Sequence, residues 1–323
     1  MKIRWLIVMA LSGVIALASA CGGSNSGQTA SKEVNLDYAY YNPLSLVVRD
    51  QQLLETKGYK VNWVLSAGSN KANEGLRSNA LDLGSTAGVA ALVARSNGSP
   101  IKIVDVYSKP EWTALVVGKN SPIASVADLK GKKIAVTKGT DPYFFLLQSL
   151  ATAGLTPADV EIVNLQHADG KTALERGDVD AWSGLDPFLA QTVLEQGSRI
   201  LYRNADFNSF GVLNAREDVI ANKPETVQAV VDAYEQARAW AKSHPDELAA
   251  LLAREAKVSP EVAKDELART ELQIDPTPGA AQIAVLTKIL PLAVSDNDIK
   301  SEQDGQKALD TIIEPKFSQQ RAQ

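Results

Sequence analysis

The chain has 323 residues, 45% of them hydrophobic and 22% charged, a globular composition long enough for two domains of ordinary size. Its net charge of −5 argues against nucleic acid as a partner, and an anionic ligand would have to be held by a local field. A lone cysteine, Cys21, excludes a disulfide framework and cysteine-rich metal sites.

The chain starts MKIRWLIVMALSGVIALASAC, with Lys2 and Arg4 leading an apolar run from Trp5 to Ala20. As a helix that run measures about 24 Å, short of the roughly 30 Å hydrocarbon core, so residues 1–20 read as a secretory signal rather than a membrane span. Cys21 follows Ala18-Ser19-Ala20, a pattern that resembles the lipobox of bacterial lipoproteins and implies lipidation of Cys21; a plain signal peptide with an incidental cysteine is the other reading. Residues 21–33, polar and glycine-rich, read as a flexible tether. The expected location is outside the cytoplasm, lipid-anchored to a membrane.

From Val34 the pattern alternates. VNLDYAYY, YKVNWVLSAG, LDLGSTAG, IKIVDVYS, TALVVG, KKIAVTKG, VEIVNLQ and VDAWSGL read as strands. LSLVVRDQQLLETKG, SNKANEGLRSNA, GVAALVARSNG, VADLKG, DPYFFLLQSLATAGL, GKTALERGD and DPFLAQTVLEQG read as the helices between them. After SRILYR and GVLNAR the chain turns helical from Lys223 to Glu314, punctuated by Pro224, Pro245, Pro260 and Pro276. This predicts an α/β fold of two mostly parallel sheets flanked by helices. Residues 34–117 plus 213–323 form the expected first lobe and 118–212 the second. The hinge crossings are expected at VGKNSP and near Phe207–Gly211.

In open parallel sheets, ligands bind beyond the carboxyl ends of strands, where helix starts offer unpaired N–H groups and positive dipole ends. Four junctions here carry small or capping residues: Ala67-Gly68-Ser69-Asn70, Ser85-Thr86-Ala87-Gly88, Gly139-Thr140-Asp141-Pro142 and Ser183-Gly184-Leu185-Asp186-Pro187. Pro142 and Pro187 suit a first helical turn. Asp141 and Asp186 read as caps of their own helices, with an ammonium partner on the ligand as the alternative. Tyr40, Tyr41, Trp112, Tyr143, Phe144, Trp182 and Phe188 flank the junctions; Tyr41 and Trp182, at strand ends, read equally as site or core. An anionic head with an apolar tail fits this set.

Catalytic and metal residues are expected to be none. The sequence has no GxSxG, HExxH, Walker loop or GxGxxG after a strand, and no cofactor is implied. His244 reads as solvated, and His167, in LQHADG, as a loop residue, with the cleft wall as the alternative.

The segment KGKKIAVTKGTDPYFFLLQSLATAGLTPADVEIVNLQHADGKTALERGDVDAWSGLDPF resembles the aliphatic-sulfonate-binding proteins of bacterial ABC importers, a group that also takes up nitrate, taurine and sulfate esters. DLKGKKIA, KGT, ERGDVDAW and DPF carry the resemblance, with GSNKANEGLRSNALDLGSTAG in the first half. It implies a bilobed type II periplasmic-binding fold with two hinge crossings, monomeric, which closes on ligand and delivers it to a permease and its ATPase. The ligand residues it implies are Ser69, Asn70, Thr86, Ala87, Gly139, Thr140, Trp182 and Asp186; the junctions and their aromatics add Tyr41, Gly68, Trp112 and Asp141. Asp-Pro at 186–187 implies an alkanesulfonate rather than taurine. Thr113, where many relatives carry glutamate, and Ser183-Gly184-Leu185, in place of a bulkier stretch, imply a wider pocket or a change in the tail it accepts. Transport of another small anion, or ligand sensing without transport, remain the alternatives.

Overall fold

The computed structural model describes residues 32–320; the expected signal, tether and Cys21 lie outside them, apart from the tether's last two residues. In chain order the first elements are β1 (Lys32–Tyr38), α1 (Pro43–Asp50), β2 (Tyr59–Leu65), α2 (Ser69–Arg77), β3 (Leu83–Ala87), α3 (Gly88–Ser96) and β4 (Ile101–Pro110). Next come β5 (Thr113–Val117), β6 (Lys133–Val136), α4 (Asp141–Thr152), β7 (Glu161–Asn164), α5 (His167–Arg176), β8 (Ala181–Leu185), α6 (Phe188–Gln196), β9 (Arg199–Tyr202) and β10 (Gly211–Arg216). The last are α7 (Glu217–Asn222), α8 (Pro224–Ser243), α9 (Pro245–Ala256), α10 (Pro260–Ala268), β11 (Thr270–Glu271), α11 (Ala280–Ser295), α12 (Glu302–Leu309) and α13 (Lys316–Gln319).

The strands form two sheets, ordered β11-β4-β10-β3-β1-β2 and β7-β6-β8-β5-β9. Both are mixed rather than mostly parallel. Pairing is parallel where helices connect the strands, as in β1–β2 and β6–β7. It is antiparallel around the strands that pass between sheets, with β10 against β3 and β4, and β5 against β8 and β9. The cores join, because fully buried Leu36, Leu83 and Val104 of the first sheet share one apolar cluster with Leu115, Ile134 and Val136 of the second.

The first crossing falls earlier than VGKNSP. Thr113 to Val117 pair with Leu185 to Ala181, so β5 belongs to the second sheet and the chain crosses at Glu111-Trp112. The second passage runs from β9 to β10 through residues 203–210. The C-terminal helices do not sit on the first sheet alone. Helices α8 and α9 pack on α1, but α10 touches α6 and α11 touches α4, both beside the second sheet. Among the described residues, no helix is long and apolar enough to cross a membrane.

Candidate functional site

A cavity of about 230 Å³ lies between the sheets. Tyr40, Tyr41, Leu65, Ser66 and Ala67 line it from the first, and Gln166, His167, Ala168 and Leu185 to Phe188 from the second. All of these follow the carboxyl ends of β1, β2, β7 and β8 or start the next helix, as the strand-end rule requires. The lining is mostly apolar, and the volume is below the roughly 300 Å³ at which drug-sized sites begin, which suits a compact ligand.

Beside this cavity the two halves touch. A Cβ built on Gly68 would lie 2.9 Å from His167 Nε2 and 2.8 Å from Asn70 Oδ1, so a larger residue there would displace one of these side chains. Gly139, with φ +74°, turns the backbone into α4; a Cβ built on it would lie 3.8 Å from Asn70 Cβ, and Gly139 and Asn70 line a common hollow. The start of α2 thus meets the start of α4 across the seam, and each brings a positive dipole end. These contacts bring together Gly68, Asn70 and Gly139, with Ser69 and Thr140 as their chain neighbours. Tyr41 lines the cavity; its hydroxyl donates to Ser85 O at 3.0 Å and its ring meets Trp112 edge-on.

Other expected site residues serve the scaffold. The Ala87 N–H donates to Ser69 Oγ at 2.9 Å. Thr86 Oγ1 donates to Ala87 O and accepts from Asn214. Both are therefore tied into the first half and do not line the cavity. Thr140 turns its hydroxyl back to Thr137 O at 2.6 Å, leaving its backbone as the part free for a ligand.

Trp182 is fully buried on the far face of β8, in a cluster with Ala135, Ala173, Leu174 and Leu189. Strand alternation sends Ser183 and Leu185 to the opposite side. A Cβ on Gly170 would fall 2.6 Å from the indole nitrogen, and one on Gly184 2.8 Å from its six-membered ring. These glycines form the slot for Trp182, so Gly184 accommodates the indole and does not widen the ligand pocket.

Neither aspartate fits a single expectation. Asp141 does not cap α4: its Oδ2 accepts from Trp112 Nε1 at 2.6 Å and Ser209 N at 3.0 Å, and its Oδ1 from Ser209 Oγ at 2.7 Å. It binds α4 to both crossings at once, which also removes Trp112 from the cavity wall. Burial raises its pKa, and the three donors oppose the rise. Asp186 lines the cavity and caps α6 by accepting from Ala190 N at 3.0 Å. Both its oxygens also receive the Arg269 guanidinium, delivered from the end of α10. Burial disfavours charge on Arg269, but Asp186 and Asp265 outweigh it and hold the arginine protonated. Pro142 sits in the first turn of α4, whereas Pro187, after a cis bond, immediately precedes α6 and leaves the capping hydrogen bond to Asp186.

Two buried groups are placed otherwise than the sequence reading favours: Asp37 is not singled out by it, and His167 takes the alternative given for it, the cleft wall. Asp37, at the end of β1, accepts from Ser85 N at 2.9 Å, and burial pushes it up to about 7 despite hydrogen bonds from Ser66 and Ser85. His167 is not a loop residue but the first of α5, 1% exposed and on the cavity wall. Burial lowers its pKa to about 3, so it is neutral at physiological pH. The signal that favours the cleft wall over the loop is a helix start directly after β7, the same rule applied to a fifth junction.

Comparison with known proteins gives a consistent picture. The family model described as NMT1/THI5 like matches residues 46–248. A protein of Escherichia coli (strain K12), named as an aliphatic sulfonates-binding protein, is 32% identical over 256 residues, covering 78% of this chain and 79% of its own length. The crystal structure of the periplasmic aliphatic sulphonate binding protein SsuA from Escherichia coli is similar with a TM-score of 0.74 and 27% identity, over 88% of this chain and 92% of that one. The desulfurization enzyme DszB matches with a TM-score of 0.67 at 18% identity, over 90% of this chain and 100% of that one, a likeness of fold alone.

Proposed function

The chain belongs to the NMT1/THI5-like family, and from that premise we propose that it is the extracytoplasmic solute-binding component of an ABC importer, capturing an aliphatic sulfonate between its two halves. The observation that carries this reading is the meeting of α2 and α4 at Asn70 and Gly139, beside a mostly apolar cavity. The sulfonate oxygens accept from backbone N–H groups at Ser69, Asn70, Gly139 and Thr140. The apolar tail lies against Tyr40, Tyr41, Leu185 and Phe188.

Binding involves no chemical step. The helix starts beside the cavity hold an anion by dipoles, and ligand affinity for the closed arrangement drives capture. The two crossings, at Glu111-Trp112 and residues 203–210, act as the hinge, with Asp141 as the strap between them. The loaded protein, a monomer lipidated at Cys21 after signal removal, hands its ligand to a permease.

Titration calorimetry with butanesulfonate, hexanesulfonate, taurine, sulfate and nitrate tests the ligand class. Saturable binding of the alkanesulfonates, with sulfate and nitrate weaker, is the expected result. Heat from nitrate or sulfate alone would overturn the assignment. Radiolabelled palmitate should mark the wild-type protein and not Cys21→Ser; no label on the wild type would remove the anchor, and equal labelling of the two would move it away from Cys21.

A further inference from the structure

His167 carries an unused acceptor at the seam of the cleft. Thr137 Oγ1 donates its single hydrogen to Leu165 O at 2.7 Å, a carbonyl that can only accept. The 3.1 Å contact between Thr137 Oγ1 and His167 Nδ1 is therefore an N–H donation from the ring. That fixes the tautomer: Nδ1 holds the proton and Nε2 presents its lone pair. Nε2 is buried, has no partner among the described residues and faces Gly68, the residue before the α2 start. Around the same point, where a Gly68 Cβ would stand, Asn70 Oδ1 is also buried and without a partner among the described residues.

A sulfonate oxygen cannot satisfy either atom, since both are acceptors. We infer that the cleft reads a neutral hydrogen-bond donor close to the anionic head, so that its ligand is a short hydroxyalkanesulfonate and His167 is the residue that selects the hydroxyl. This inference rests on the sulfonate reading above and narrows it. An ammonium group would supply donors too, but burying its charge calls for a free counter-ion. Asp186 is taken by Arg269, Asp141 by Trp112 and Ser209, and Asp37 lies behind Ser66 with its oxygens held by Ser85. A hydroxyl needs no such partner. Leaving a buried acceptor unmet is the larger penalty, so a ligand without the hydroxyl binds about tenfold more weakly.

The test compares 2-hydroxyethanesulfonate, ethanesulfonate and taurine by calorimetry on the purified protein and on His167→Phe. The expected result is a preference of about tenfold for the hydroxyl compound over ethanesulfonate, with taurine no better than ethanesulfonate, and loss of that preference in the variant. Equal binding of 2-hydroxyethanesulfonate and ethanesulfonate by the wild type would overturn the inference while leaving the sulfonate reading intact; binding of no sulfonate would remove both. A preference for taurine would overturn it as well. Nitrogen NMR of His167 in the wild-type complex does not depend on the variant folding. Nε2 is expected to stay unprotonated and to shift on accepting the hydroxyl; an imidazolium signal, or no shift, would contradict the assignment.

Discussion

Two helix starts in this chain read almost alike, Thr140-Asp141-Pro142 and Leu185-Asp186-Pro187, yet their aspartates do different work. Asp141 is bound by neutral donors from both crossings, so it acts on how the halves are held together. Asp186 is bound by a cation from α10 and caps its own helix, so it acts on how the second half is built. A dipeptide can specify a helix start, but the partner that decides its role comes from elsewhere in the chain. The difference also bears on the ligand. Both carboxylates border the proposed anion site, and both have their oxygens engaged by donors from the protein itself.

The largest effect that would sharpen this contrast is at Asp186. Asp186→Ala leaves a mostly buried guanidinium without its main partner and should cost about 3–5 kcal/mol in denaturant unfolding. Part of that loss should return in the Asp186→Ala, Arg269→Met double variant. Asp141→Ala removes only neutral partners and should cost about 1–3 kcal/mol. Its distinctive signature should be a larger radius of gyration in the ligand-free protein by small-angle scattering, which Asp186→Ala does not share. Equal radii for the two variants would break the comparison.

Two other buried groups, His167 on the cavity wall and Asp37 behind Ser66, extend it to pH. Asp37 has a folded pKa of about 7, above its ordinary 3.8, so the stability it contributes is full below pH 3.8 and lost as pH rises through about 7. His167 has a folded pKa of about 3, below 6.5, so its contribution is full above pH 6.5 and lost as pH falls through about 3. Thermal melts against pH should show Asp37→Asn flattening the loss between pH 4 and 7, and His167→Phe flattening the loss on the acid side. Unchanged slopes would mean that neither group is buried as described.

The smallest expected effect on binding is at Trp182. Trp182→Phe should cost about 1–2 kcal/mol of stability through lost packing and leave sulfonate affinity within about twofold. A selective loss for long tails would return the indole to the ligand.

The alternating α/β pattern, the helix starts and the clustering of small residues at strand ends were all legible in the sequence, because each is a local signal of backbone geometry. Small residues misled where they served another purpose. Gly184 looks like space for a ligand, but it is space for Trp182, and only the pairing of β8 with β5 and the position of Gly170 reveal this. Thr86 and Ala87 have the right residue types at the right strand end, but Asn214 and Ser69 reach their hydrogen-bonding groups first. The Asp186–Arg269 pair spans 83 residues and leaves no local trace. His167 was masked because its helix begins without a Ser, Thr or Asp cap, so the polar stretch around it read as a loop.

The most direct test is a crystal structure of the protein with hexanesulfonate. It should place the sulfonate oxygens within hydrogen-bond distance of backbone nitrogens at the starts of both α2 and α4, with the tail running along Tyr41 and Phe188. A sulfonate bound instead in the hollow beside Lys109, Arg269 and Lys288, or held by one half alone, would contradict the account.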